Sequence, residues 1–151
     1  MSVNIALHLL AALIWVGGMF FAYVALRPAA AGTLEPPLRL QLWLHVFKLF
    51  FIWVWLSIIT LLATGYWMLF KYFGGFANAG LHIHIMNGAG LIMVLIYLHV
   101  FFAPYRRLRH AVITQDYAEG GRQLAQIRKL IALNLFIGLL VVVIASGGRY
   151  V

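Results

Sequence analysis

The stretch that decides the fold is Leu81 to Ala103, LHIHIMNGAGLIMVLIYLHVFFA. It has no acidic residue, lysine or arginine, and it is long enough to cross a bilayer as a helix. It nonetheless carries His82 and His84 near one end and His99 near the other. A histidine inside a span is unfavourable unless it finds a partner, so it marks function by default. At about 1.5 Å rise per residue, His84 and His99 lie roughly 22 Å apart along the axis, one near each edge of the hydrocarbon. At about 100° per residue they fall within about 60° of one helix face, with His82 roughly 100° away. The span reads as the central post of two cofactor sites.

The rest of the chain has the same character. Of its 151 residues, 65% are hydrophobic and 9% charged, with a mean hydropathy of +0.98. A soluble domain carries about a quarter of its residues charged, so the class is integral membrane protein. Only Glu35, Asp116 and Glu119 are acidic. The net charge of +8 flanks apolar spans, where orientation in a membrane explains it and no nucleic-acid partner is implied. The absence of cysteine excludes thiolate chemistry, disulfides, Cys-ligated clusters and covalent c-type haem attachment. No lysine or arginine precedes the first apolar run, which continues past signal-peptide length and reads as a retained span.

Four stretches reach or approach spanning length, at about 3–26, 44–70, 81–103 and 130–145. Lipid offers the backbone no partner, so they are predicted to be helical. The expected fold is an all-α, integral membrane four-helix bundle, one transmembrane domain over 1–151. Pro28, Pro36 and Pro37 predict a break between the first two spans in the loop Arg27–Gln41. The short, Gly-rich connection Lys71–Gly80 predicts that spans two and three are antiparallel neighbours. After Pro104, residues 105–129 read as a cytoplasmic amphipathic segment, its helix from Asp116 running directly into span four. Of the lysines and arginines, Arg27, Arg39, Lys48, Arg106, Arg107, Arg109, Arg122, Arg128 and Lys129 fall on one side, and Lys71 and Arg149 on the other. The positive-inside rule then puts both termini outside, with the two basic loops in the cytoplasm.

That topology sorts the histidines by depth. His8 in span one meets the level of His82 and His84, which leaves the choice between those two open. His45 at the start of span two meets the level of His99. Bis-imidazole ligation of a haem b needs two helices offering nitrogens at one depth, so His8 with His84 (or His82), and His45 with His99, are the candidate metal ligands. Trp15, two turns after His8, could pack a porphyrin face, and Gly18 and Gly88 could admit its edge. Lys48, Arg106 and Arg107 could pair with propionates at the inner site; only Lys71 and Arg149 are available at the outer one. Glycine in a membrane helix also serves close packing, tryptophan also anchors at the interface, and Lys48 could simply snorkel. Met86 is an alternative axial ligand, though methionine in a span is more often packing. His110 reads as solvated, and Asn134 and Ser146 as interhelical hydrogen bonders. The predicted function is electron transfer by one or two haems, exchanging with quinone or another redox partner in the bilayer, with a homo-oligomer left open. The alternative is copper binding or transport by histidine and methionine, against which stand the missing cysteine, Met-x-x-Met pairs and intramembrane carboxylates.

Particular motifs also resemble known families. ALHLLAALIWVGG, with His8, Trp15, Gly17 and Gly18, resembles the first helix of the CopD-like bacterial membrane proteins, as do WLSIITLLATGYWML in span two and PYRRLRHAV after span three. That resemblance implies copper resistance or uptake through the inner membrane. The His-to-Trp-Gly spacing is also similar to HemJ-type protoporphyrinogen oxidases, which bind haem and carry an arginine shortly after the Trp-Gly motif. Here Val24 stands near that place and the nearest arginine is Arg27. The overall plan resembles four-helix membrane b-type cytochromes. Applied to matching positions, the resemblance singles out His8 and Trp15.

Overall fold

A computed structural model describes residues 2–147, and every regular element among them is helical. Arg149, counted above for orientation, lies outside the described residues. Helix α1 spans Ser2–Phe21 and continues through a π-helical turn, Ala22–Leu26, into α2, Arg27–Thr33. Helix α3 spans Pro36–Tyr72, α4 Leu81–Phe102, α5 Pro104–Ile113 and α6 Tyr117–Gly147. Among the described residues four helical runs are long and apolar enough to cross a membrane. Their outward faces are apolar: Leu49, Leu95 and Val143 are each 65% exposed, as befits contact with lipid acyl chains.

The helices outrun the apolar stretches. The first continues past Pro28 instead of stopping at Leu26. A proline ring in an α-helix collides with the carbonyl four residues earlier, here Val24. The widened turn ahead of it removes that conflict, with the Arg27 N–H donating to the Ala22 carbonyl five residues back. The chain breaks only at Leu34 and Glu35, both extended, as a residue ahead of proline prefers, and Pro36 starts α3. At the other end of α3, Gly74 and Gly75 take φ of +69° and +94°, a turn that other residues rarely adopt. Ala103, ahead of Pro104, has φ −117° and ψ −87° and bends the chain into α5. Helix α5 is amphipathic, burying Pro104, Leu108 and Ala111 and exposing Arg106, Arg107, Arg109 and His110. Asp116 then caps α6, its Oδ1 accepting the Glu119 N–H at 3.1 Å, and α6 runs unbroken from the basic segment through the fourth span.

Helix α1 packs along α3, and α4 along α6, with α5 folded back on α6. Close approach uses glycine. A Cβ on Gly138 of α6 would stand 3.0 Å from Val16 and 3.1 Å from Met93, and one on Gly18 of α1 would overlap the Phe50 ring of α3. Asn134 donates to the Met93 carbonyl of α4 at 3.3 Å, the interhelical bond expected of it. Ser146 instead donates to Val142 within its own helix at 2.9 Å. Between α3 and α4 the contact is through aromatic rings. Tyr97 meets Phe51, Trp55 and Trp15 edge-on at centroid distances of 5.4, 5.4 and 6.3 Å, and its hydroxyl donates to the Phe51 carbonyl at 3.2 Å.

Replacing Gly138 by leucine is expected to lower the unfolding free energy by about 1–3 kcal/mol through overpacking. The same change at exposed Gly88, which has open space beside it, should be near neutral. Unfolding by denaturing detergent from mixed micelles, followed by tryptophan fluorescence, measures both.

Candidate functional site

A cavity lies on either side of the aromatic layer around Tyr97. One, of about 790 Å³, lies in the half away from the basic loops and is lined by all four long helices. His8 and Trp15 come to it from α1, Gly65 and Tyr66 from α3, His82 and Met86 from α4, and Gly138 from α6. The other, of about 720 Å³, lies at the basic end beside the π turn.

Helix phase explains which side chains reach the first cavity. Trp15 is buried on the inner stripe of α1, and His8, seven residues earlier, falls about 20° from it. On α4 the buried stripe is Met93, Tyr97 and Val100. His82, eleven residues before Met93, also falls about 20° away, whereas His84 falls about 180° away. The structure therefore brings His8 and His82 to one cavity. His84 is exposed and stacks on Phe76 of the connecting turn at 6.1 Å. The His82 ring folds over Gly80, where a Cβ would come within 2.9 Å of it.

The hydrogen bonds of His8 fix its tautomer. Its Nδ1 lies 2.8 Å from Thr64 Oγ1, and the Thr64 hydroxyl has one proton. That proton goes to the Thr60 carbonyl at 2.6 Å, so Thr64 accepts from His8. In the neutral ring Nδ1 then carries the hydrogen and Nε2 keeps its lone pair. An imidazole held this way by its other nitrogen is oriented as a metal ligand usually is. Gly65 makes room for the ring, since a Cβ there would lie 3.3 Å from His8 Cε1. Thr64 and Gly65 escaped the sequence reading, although a hydroxyl facing the interior at the depth of His8 is a signal of the same kind as the histidines.

The inner pair does not assemble. His45 is exposed and its Nδ1 donates to the Gln41 carbonyl of its own helix at 2.9 Å. His99 is exposed on α4, about 200° from buried Tyr97. No hydrogen bond or ring contact joins His45 to His99 among the described residues, and the aromatic rings of Phe47, Phe51, Phe101 and Tyr105 fill the bundle at that level. Lys48 is exposed, Arg106 lies over the Phe102 ring at 4.9 Å, Arg107 is exposed, and none of the three lines either of these cavities. Gly18 serves helix packing against Phe50, and Gly88 is exposed with nothing beside it.

A membrane bundle with two imidazoles and a thioether sharing one interior cavity is the class of protein defined so far. The family model described as copper resistance protein D matches residues 44–147, from the start of α3 apolar core to the end of α6. The chain belongs to that family and is a multi-pass membrane protein. Helix α1, with His8, precedes the matched region. Comparison with curated proteins and with solved structures gave no match.

The tautomer assignment is open to nitrogen NMR on histidine-labelled protein, with His8→Ala identifying the resonance. His8 is expected as the Nδ1–H form. Thr64→Val should shift it toward the Nε2–H form, and an unchanged tautomer in that variant would show that Thr64 does not set it.

Proposed function

We propose that this protein handles copper in the membrane, and that the cavity in its outer half is where the ion is held. The observation that carries the reading is the convergence of His8 and His82 on one interior cavity in a chain of the copper resistance protein D family. Met86 lines the same cavity, and imidazole with thioether is a donor set that copper accepts without cysteine. The donors fit in kind: His8 presents Nε2 to the cavity while Thr64 holds Nδ1. No cluster of three or more His, Asp or Glu side chains exists among the described residues, so the site is built from two imidazoles plus softer or neutral partners. With the basic end in the cytoplasm, as the excess of arginine there favours, the cavity belongs to the periplasmic half. A weakly held ion there is suited to passage or relay, and the aromatic layer below it closes the direct path through the bundle.

One observation favours a second reading, a b-type haem in the same cavity. About 790 Å³ is far more room than a metal ion occupies and is the size of a site for an organic cofactor. His8 and His82, from α1 and α4, would be the ligating pair and Trp15 a packing surface. The group would supply electron-transfer chemistry, and the chain's part would be to orient both imidazoles and exclude water.

Competition of purified protein against a chromogenic copper(I) chelator tests the first reading. His8→Ala and His82→Ala should each weaken binding tenfold or more, Thr64→Val by about 10- to 100-fold as for other outer partners of ligating histidines, and His84→Ala and His99→Ala should have no effect. Unchanged affinity in both His8→Ala and His82→Ala overturns the assignment. A dithionite-reduced absorption spectrum with b-type bands, lost in the same two variants, would replace copper with haem at this site.

A further inference from the structure

The second cavity has no part in either reading. It lies at the basic end, between the π turn, α3 and the first turns of α6. Arg27, Arg39 and Arg128 all line it, and none of the three acidic side chains, Glu35, Asp116 and Glu119, does. The guanidinium of Arg39 is held in place, with Nη2 donating to the Leu34 carbonyl at 3.0 Å and toward that of Ala31 at 3.4 Å. Its Nε is buried and has no hydrogen-bond partner among the described residues. Arg27 lies over the Tyr23 ring, 4.8 Å from its centroid, and Tyr23 lines the same cavity. Among the described residues the ion pair Arg122–Glu119 is the only one, and it lies outside this lining.

Three cations facing one concavity repel each other, and a buried guanidinium N–H without an acceptor is costly. Positive-inside orientation needs basic residues at this end of the chain, but it does not need them gathered around a hollow or pinned by backbone carbonyls. A phosphate oxyanion answers both costs, since its oxygens accept the paired donors of arginine and its charge offsets theirs. Apart from Tyr23, Trp43 and Tyr117 the remaining side chains of the lining are apolar, Phe47, Leu124 and Ile131 among them. Val24, an apolar residue that is 52% exposed, also lines the cavity, so apolar surface stands open beside the three arginines. From this we infer that the basic-end cavity is a binding site for a phosphate group carrying net negative charge, Arg39 and Arg128 being its principal donors. An anionic phospholipid of the adjoining leaflet matches both the cationic mouth and the apolar wall; free phosphate shares only the first.

The test uses full-length protein in uncharged detergent micelles, with thermal unfolding and lipid retention in native mass spectrometry as paired readouts. Short-chain phosphatidylglycerol, phosphatidylcholine and inorganic phosphate are added separately. Phosphatidylglycerol is expected to raise the midpoint and to be retained, with affinity falling about tenfold for each of Arg39→Gln and Arg128→Gln. Arg128 is exposed at the cavity edge, so its variant reports even where Arg39→Gln is unstable. Arg106→Gln with Arg107→Gln, equally basic and outside the cavity, should leave retention unchanged. Inorganic phosphate reproducing the shift, in the wild type but not in the Arg39 and Arg128 variants, supports the site and assigns it to a soluble phosphate. Equal effects of phosphatidylcholine and phosphatidylglycerol, or an undiminished response in both arginine variants, overturn it.

Discussion

Tyr97 keeps α3 and α4 apart. Its ring is gripped edge-on by Trp15, Phe51 and Trp55, and its hydroxyl is spent on the Phe51 carbonyl, so it cannot withdraw without exposing a buried acceptor and three ring edges. In lipid there is no hydrophobic drive to pull two helices together, and shape decides how near they come. Where glycines face neighbours, as Gly18 and Gly138 do, the helices close up. Where a bulky aromatic layer intervenes, they are held open, and the cavity that holds His8 and His82 lies between them on one side of the layer. The basic-end cavity is walled by the π turn, α3 and α6 and does not depend on that spacer.

The class of fold was readable from composition alone, because a chain so short of charge has no soluble solution and lipid permits its backbone little besides helix. Helix ends were not readable, because the apolar stretches record where hydrocarbon begins and the helices continue into the interface. Pro28 looked like a terminator and is tolerated, since a widened turn removes its clash. No periodicity in AYVALRP announces such a turn.

The histidines divide along the same line. Depth along an axis follows from counting residues, and His8, His82 and His84 were placed at one level by counting. Facing direction needs a reference on the same helix, and taking His99 as that reference favoured His84 over His82. Met93 and Tyr97 were the better reference, since a large aromatic and a flexible thioether at helical spacing mark the packed stripe, and measured from them His82 points inward while His84 and His99 point out. Thr64 was legible in principle, yet its role depends on a hydrogen bond between helices that only the fold brings together.

The π turn carries a consequence for how this chain tolerates length changes. It spends one residue more than an α-helical turn needs, and everything after it, Arg27 included, is rotated by about 100° relative to a plain helix. Removing any one residue from Ala22 to Leu26 would let the backbone relax to ordinary winding with Arg27 and the far end of the helix facing much as before, and would bring Pro28 back against a carbonyl. A single-residue deletion in this apolar turn is therefore absorbed by the winding, and its cost falls on the proline rather than on the direction of the helix beyond it.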